Sequence, residues 1–357
     1  MFCLCLVVDM ANLAAYIVRR LILLVFVVIG VTVLIFAVTM LFSPGQRALL
    51  YVRNVQHTSQ AGIDEIIRHY GLNAPFYDQY FTWVSQLLQG NLGWSPTAGQ
   101  PVATAIASKW PYTFEIVLLA APIIIFVGIY LGVQSAVHKD RLIDHASRIF
   151  SIIGWSLPSF FVGFLLLAIF YGTLHWFSPG SLSNTGLNFE SNIANHFVRY
   201  TGVDLFDGLL NGVPWISLDA LKHLVMPVAV IVTIDVALLI RVMRSSMLES
   251  MSKPYITTAR AKGLSNKVVI YKHARRNALI PVATLSGMLV AGLLGGLIIT
   301  ETVFGFGGIG AWSARAAQSL DIPAVLGYAV LSAVVFVIAN LIVDVLYAYI
   351  DPRIRLD

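Results

Sequence analysis

One aspartate lies inside a long apolar stretch of this 357-residue chain, where an ionisable side chain is unusual. Asp235 lies within Leu224–Ile240, a run that holds no other charged residue. If the run crosses a membrane, its carboxyl group is costly there and is a default candidate for function. It could contact a positively charged amine, pair with a cation on another helix, or be protonated. A structural hydrogen bond to a neighbouring helix is the alternative.

Other patterns that would indicate chemistry are missing from the sequence. It contains no phosphate-binding loop of the form GxxxxGK[ST] and no HExxH pair. Cys3 and Cys5 are separated by one residue, which disfavours a bridge between them, and two ligands cannot close a zinc site. We therefore expect no catalytic residue, no metal centre and no ATP site in this chain. The eight histidines are scattered at positions 57, 69, 138, 145, 175, 196, 223 and 273.

The composition predicts an integral membrane protein built from helices. Hydrophobic residues make up 58% of the chain and charged residues 11%, against about 25% charged in a soluble domain. Six stretches are apolar enough to cross the hydrocarbon core, which requires about 20 residues of helix. We expect an all-α membrane protein with six transmembrane helices. The six stretches are Leu21–Phe42, Ile116–Val137, Ile149–Leu174, Leu224–Ile240, Ala278–Thr300 and Ala324–Val343.

The distribution of basic residues predicts which side each loop faces. With the N-terminus inside, the inner segments hold 16 Lys and Arg residues and the outer segments hold 7, which fits the positive-inside rule. Both termini are then cytoplasmic, at 1–20 and 351–357, on either side of a membrane domain over 21–350. This domain has two long extracytoplasmic segments, 43–110 and 177–222, and one long cytoplasmic loop, 244–277. The basic excess indicates topology in a plasma or inner membrane and not nucleic-acid binding.

The loop between the fourth and fifth predicted spans carries the most specific signal. Pro254 suits the first turn of a short helix that runs to Lys262, and Gly263 suits the left-handed residue that ends it. Ser265 can cap a second short helix over 266–276. Between Met251 and Arg276 there are seven basic residues and no acidic one. This surface could lie on anionic headgroups or could contact another protein.

Two motifs in this loop resemble one known family. The run Thr257-Thr258-Ala259-Arg260-Ala261-Lys262-Gly263, followed by His273-Ala274-Arg275-Arg276-Asn277-Ala278-Leu279-Ile280-Pro281, resembles the EAA loop of ABC importer permeases. It is most similar to the dipeptide, oligopeptide and nickel branch, and to its B-type subunit. The resemblance continues through Ile299–Phe304 and Asn340–Asp344 to Asp351-Pro352-Arg353.

The resemblance implies a transport subunit that is not itself an enzyme. In the family, short cytoplasmic coupling helices dock on an ATPase subunit, and ATP-driven movement switches the membrane pathway. It implies as partners a second homologous permease, two ATPase domains that bind ATP and Mg²⁺, and an extracytoplasmic substrate-binding protein. The ATPase-contact positions carried over are Thr257, Thr258, Ala259, Ala261 and Gly263.

Three positions depart from the family pattern. Thr257 stands where the eponymous Glu of the EAA loop would be, Arg275 replaces the usual Leu, and Gly307 replaces a Pro. Two further acidic residues, at predicted helix ends, are candidate site residues. Glu301 is either a gate residue or, more simply, a structural one, and Asp344 is most simply a packing or pairing residue at the interface.

Three function classes compete on sequence alone. A permease subunit of an ATP-driven peptide importer is favoured, with a nickel or other small-solute importer of the same branch as the alternative. A self-contained secondary carrier is less favoured because intramembrane charges are confined to Asp235. An intramembrane enzyme would need a nucleophile and base inside the spans, and none is visible.

Overall fold

Helices form nearly all of the regular structure. The computed structural model describes residues 18, 22–23, 25–48 and 59–350, with side chains as far as residue 342. A two-residue hairpin, β1 (Trp94–Ser95) with β2 (Gln100–Pro101), precedes the first long helix. The helices are α1 (Val25–Thr39), α2 (Pro44–Ala48), α3 (Gln60–His69), α4 (Phe76–Leu88), α5 (Val102–Val137), α6 (Leu142–Ser156), α7 (Ser159–Leu166), α8 (Asn184–Ser191), α9 (Asp204–Leu210), α10 (Pro214–Met251), α11 (Pro254–Ala261), α12 (Asn266–Gly295), α13 (Ile298–Phe304), α14 (Ile309–Gln318) and α15 (Ile322–Ile350).

Four helices are long and apolar enough to cross a membrane, and they coincide with four of the six predicted spans. They are α5, α10, α12 and the part of α15 over Ile322–Ile342. Each helix extends beyond its predicted apolar stretch at one end or both. The predicted end of the fifth span at Thr300 is wrong: α12 stops at Gly295, because the chain breaks at Gly296. Pro122 and Pro227 lie inside α5 and α10 without ending them. The fold is therefore that of an all-α, multi-pass membrane protein.

The third predicted span is not a straight helix. α6 and α7 are long enough to cross a membrane only when taken together, and they meet at an angle of 99°. The break falls at Leu157 and Pro158, where proline lacks an N–H and holds the preceding residue extended, with φ −81° and ψ 129° at Leu157. Beyond Leu166, α7 continues as π-helical turns over Leu167–Thr173. The expectation of a single continuous span over Ile149–Leu174 is wrong.

The first predicted span, Leu21–Phe42, falls partly outside the described residues. Its described part contains α1, a 15-residue apolar helix that packs against α4. Phe36 lies with its ring centroid 5.3 Å from that of Trp83. The side-chain oxygens of Thr32 and Tyr80 form a 3.0 Å hydrogen bond. Among the described residues there are thus four spans, or five if the bent pair counts as one, and six remains a prediction.

The centre of the membrane domain is the contact between α5 and α10. Small residues allow close approach of these helices. A Cβ atom added at Gly128 would lie 2.6 Å from Leu239 Cδ2, and one added at Gly132 would lie 2.5 Å from Met243 Cβ. Leu239 and Met243 are fully buried at this contact. The remaining spans pack around this pair. Both candidate sites lie on or next to α10: Asp235 is inside it, and α11 follows its end.

Both predicted extracytoplasmic segments contain helices. The first segment, 43–110, contains α3; Ser59 caps this helix by accepting a hydrogen bond from the Gly62 N–H at 3.3 Å. The second segment, 177–222, contains α8 and α9, and its last nine residues already belong to α10, which begins at Pro214. Proline at the first helical position explains this early start, because its missing N–H costs nothing there.

Candidate functional site

The predicted short helix of the basic loop is present as α11. It begins at Pro254 with Lys253 as its N-cap and ends at Ala261, one residue earlier than expected. Gly263 follows with φ +76°, the left-handed conformation that glycine adopts without strain. The local residue chemistry thus sets both ends of this helix.

The second element of the loop is not a short helix. It begins after its predicted N-cap, Ser265, but runs without a break from Asn266 to Gly295. Its backbone passes through π-helical turns over Val269–Ala274 and then joins the fifth predicted span. No residue between Arg276 and Pro281 terminates the helix, and Pro281 lies inside it. The prediction of two short helices is wrong: one short helix, α11, precedes a 30-residue helix that includes the span.

α11 is held in place by a buried face and by hydrogen bonds at its base. Ile256 and Ala259, three residues apart, are 1% and 7% exposed and pack into the main core with Val269. Ser250, at the end of α10, donates to the Ala274 carbonyl oxygen at 2.8 Å. The hydroxyl groups of Ser250 and Tyr255 form a 2.5 Å hydrogen bond. α11 is therefore fixed between the end of α10 and the start of α12.

The opposite face of α11 is exposed. Of the five predicted contact positions, Thr257, Thr258, Ala261 and Gly263 are exposed, whereas Ala259 faces the protein interior. A Cβ atom added at Gly263 would meet nothing within 4 Å, so the glycine is required by its backbone conformation and not by crowding. The exposed face has the small side chains expected where another surface approaches closely.

The charge around this face is strongly positive. Arg260, Lys262 and Lys267 are exposed on α11, the turn after it and the first turn of α12, and the carboxylate nearest in sequence is Glu249. The Lys253 ammonium lies 2.9 Å from the Glu249 carboxylate, on the α10 side. This face is therefore suited to a surface with acidic or hydrogen-bond-accepting groups.

Asp235 lies at a cavity of about 330 Å³ where α12 ends. The cavity is formed by the Asp235 turn of α10, by Ser159 of α7, and by the break between α12 and α13. That break includes Gly296, whose φ of +132° is open only to glycine. Asp235 is partly exposed, and its carboxyl group makes no hydrogen bond or ion pair with the described residues. The described structure thus shows no side-chain hydrogen bond that would give Asp235 the alternative, structural role.

Glu301 holds three elements together. Its Oε1 accepts a 2.5 Å hydrogen bond from the Thr113 hydroxyl on α5, and its Oε2 accepts from the Ala311 N–H of α14 at 2.8 Å. A Cβ atom added at Gly308 would lie 2.4 Å from its carboxyl carbon, so glycine is needed there. Burial raises the pKa of Glu301, and the hydrogen bonds from Thr113 and Ala311 oppose that rise. The geometry is that of a structural junction. Asp344, the other predicted acid, lies in α15 beyond the described side chains.

Sequence reasoning missed a buried ion pair near the base of the basic loop. Asp144 of α6 is fully buried and receives hydrogen bonds from Arg244 of α10. It also accepts from the Ser135 hydroxyl at 2.6 Å and from the Asp140 N–H at 3.0 Å. The pairing joins residues 100 positions apart, and the surrounding basic residues signalled only topology.

A second cluster, on the α8 and α9 segments, was also missed. Arg199 is paired with Asp204 and lies 3.7 Å from the Glu190 carboxylate. The buried Glu115 of α5 accepts from the Leu205 N–H at 2.7 Å. The Leu205–Glu115 contact fastens α9 to α5, and Arg199 links α9 to α8. Within the described part of the chain, no group of three or more His, Cys, Asp or Glu residues could hold a metal ion.

The long apolar helices define the class: a multi-pass membrane protein. The family model for binding-protein-dependent transport system inner membrane components matches residues 124–356. The chain belongs to that family.

Individual relatives cover nearly the whole chain. It is 38% identical to the probable D,D-dipeptide transport system permease protein DdpB of Escherichia coli (strain K12), over 93% of this chain and 94% of the relative. It is 37% identical to the di/tripeptide transport system permease protein DppB of Pseudomonas aeruginosa, over 96% and 98%. It is 35% identical to the oligopeptide transport system permease protein AppB of Bacillus subtilis, over 96% and 100%.

Proposed function

We propose that this chain is the permease subunit of an ATP-binding-cassette importer and forms half of a translocation pathway for short peptides. The relatives described above are named for dipeptide, di/tripeptide and oligopeptide transport, which favours peptides over nickel or another small solute. The single observation that carries the coupling part of the proposal is α11, a short helix with a buried apolar face and an exposed face of small residues.

In this proposal α11 is the coupling helix that docks on an ATPase subunit. Thr257, Thr258, Ala261 and Gly263 form the contact, and Ala259 supports it from below by packing into the core. The fixed base of α11 at Ser250 and Ala274 would carry its displacement into α10 and α12 together. Rigid-body movement of packed elements is a known means of switching between two states.

The cavity beside Asp235 is the proposed part of the translocation path. It adjoins the break at Gly296, where α12 and α13 can change their relative direction. The Asp235 carboxylate would contact the positively charged amine of a peptide, as an unpaired anion in a largely apolar wall can. Glu301 is assigned a structural role that keeps α13 and α14 in place on α5.

The remaining partners follow from the family. A homologous permease would complete the path, and two ATPase domains would bind ATP and Mg²⁺, leaving no cofactor on this chain. A substrate-binding protein would dock on the segments 43–110 and 177–222. Both termini and α11 are then cytoplasmic, in accordance with the excess of basic residues on that side.

Co-purification and transport together test this function. The chain, expressed with the genes adjacent to its own, should retain an ATPase in detergent. Proteoliposomes with the whole complex should take up a labelled dipeptide only when both binding protein and ATP are supplied. A secondary carrier would instead transport with the chain alone, and uptake without an ATPase would refute the proposal. Nickel uptake without peptide uptake would refute only the substrate assignment.

A further inference from the structure

A second cavity, unrelated to Asp235, lies as a groove between α5 and α12. Its volume is about 520 Å³, and it extends along α5 from Pro122 to Gln134. The wall is almost entirely apolar, with Phe126, Ile129 and Val133 as its main side chains. Phe126 is 73% exposed, so the groove opens on the outside of the helix pair.

One end of this groove is polar and positively charged. Gln134 donates from Nε2 to the Tyr271 hydroxyl at 3.2 Å, which fixes the tyrosine ring. The Arg275 guanidinium lies over that ring, 5.5 Å from its centroid. Arg275 is exposed and has no carboxylate partner among the described residues. Its charge is thus held at the mouth of the groove by an aromatic ring and is not neutralised.

We propose that the groove binds an anionic phospholipid, with one acyl chain along α5 and the phosphate group at Arg275. The twelve residue steps from Pro122 to Gln134 correspond to about 18 Å of helix. One leaflet contributes about half of a hydrocarbon core of roughly 30 Å, so the groove is long enough for one acyl chain. Basic pockets between spans bind anionic headgroups in this way.

The charge selects the occupant. A zwitterionic lipid would gain the apolar contacts but would bring its own cation towards Arg275. A purely apolar protein helix would fill the apolar part and would leave the guanidinium without a counter-ion. A lipid with an anionic head and an apolar tail matches both ends of the groove.

A lipid bound at Arg275 would lie next to the junction between α10, α11 and α12. Arg275 follows Ala274, whose carbonyl oxygen accepts the hydrogen bond from Ser250 at the base of α11. A headgroup at Arg275 would therefore stiffen the junction between α10, α11 and α12. This inference does not depend on the transport assignment, because lipid binding is measured on the purified chain without ATP or peptide.

Native mass spectrometry of the full-length chain, in detergent with matched amounts of phosphatidylglycerol and phosphatidylcholine of equal chain length, tests the inference. The wild-type chain should retain phosphatidylglycerol preferentially. Arg275→Leu should lower that retention about fivefold, the equivalent of the ~1 kcal/mol that one basic residue contributes near anionic lipid. Arg275→Lys should restore most of it. Ile129→Trp, which fills the apolar wall, should lower retention of both lipids.

The matched control is Lys267→Leu, which removes the same charge from an exposed position outside the groove. It should leave the retention of phosphatidylglycerol unchanged. Equal loss in the Lys267 and Arg275 variants would show diffuse attraction to the basic segment and would overturn the proposal. Equal retention of the two lipids by the wild-type chain would overturn it as well.

Discussion

Arg244 grips Asp144 with two hydrogen bonds, from Nε to Oδ1 at 2.6 Å and from Nη2 to Oδ2 at 2.9 Å. The carboxylate is completely buried and also receives the Ser135 hydroxyl and the Asp140 N–H. Each of the two carboxylate oxygens thus accepts two hydrogen bonds. The pair ties α10 to α6 and to the end of α5, on the same end of the bundle as α11.

Removing the charge of Asp144 should destabilise the protein. Asp144→Asn leaves Arg244 without its counter-ion and replaces an acceptor with a donor, and breaking one partner of a buried pair costs about 3–5 kcal/mol. The thermal unfolding midpoint in detergent should fall markedly. Asp140→Asn is the matched control, because that side chain is exposed and its contact with Asp144 uses only the backbone N–H. Equal midpoints for both variants would contradict the structural role.

Gly263 should be needed for coupling and not for folding. A β-branched residue in the left-handed conformation is strained by about 1–2 kcal/mol or more, so Gly263→Val should shift the end of α11. Peptide transported per ATP hydrolysed should drop in proteoliposomes, while membrane insertion is unchanged. Gly263→Asn should retain coupling, since asparagine tolerates this conformation.

A glycine with the same geometry elsewhere controls for that experiment. Gly90, after α4, has φ +79° and no atom within 4 Å of an added Cβ, as at Gly263. Gly90→Val therefore introduces similar backbone strain far from α11 along the chain. It should leave the ratio of transport to hydrolysis intact. Normal uptake by Gly263→Val would eliminate α11 as the coupling helix.

Asp235 should influence which peptides pass. Asp235→Asn removes the anion from the cavity without changing side-chain size, so uptake of peptides with a free amino terminus should fall more than uptake of N-acetylated ones. The comparison is the ratio of variant to wild-type uptake for each peptide, in which selection by the binding protein cancels. Asp235→Glu should preserve the preference. Unchanged uptake of several peptides by Asp235→Asn would exclude substrate contact.

Stability should rise as the pH falls through neutrality, because of Glu190. Burial, together with the charge of Asp204, raises the pKa of Glu190 to about 7 from 4.5. The folded state then binds one more proton than the unfolded state between these two values, so acidification stabilises it. Thermal midpoints from pH 8 to pH 5.5 should increase for the wild type and change less for Glu190→Gln.

The control for the pH experiment is Glu65→Gln, at an exposed position on α3. It should reproduce the wild-type slope of midpoint against pH. Arg199 offsets part of the rise in the pKa of Glu190, so Arg199→Gln should steepen the dependence. A wild-type midpoint that decreases on acidification over this range would contradict the assignment.

Features set by neighbouring residues were predictable from sequence, and features set by packing were not. Pro254 and Gly263 fix the ends of α11 through their own backbone preferences, so the sequence predicts where this short helix begins and which residue follows its end. Pro158 breaks the third span while Pro122 and Pro227 do not break theirs, because the outcome depends on what the surrounding helices supply to the freed carbonyl groups.

Site residues show the same division. The loop and its small residues were recognisable, but the inward direction of Ala259 depends on which face of α11 meets the core. The partners of Glu301, Thr113 and Ala311, come from α5 and α14, and their meeting is decided by tertiary structure. Asp235 was identifiable because a single charge in an apolar run is visible without any structure.

Because α12 is an uninterrupted helix, the number of residues in it fixes how its two ends are rotated relative to each other. One end of this helix lies against α11 and the other ends at Gly296 beside Asp235. Inserting a single residue between them would turn one end by about 100° relative to the other and lengthen the rod by about 1.5 Å. The proposed coupling helix α11 and the proposed substrate cavity at Asp235 are therefore held in a fixed relative orientation by α12. The number of residues in α12 between them then matters to the proposed mechanism as much as the residue types do.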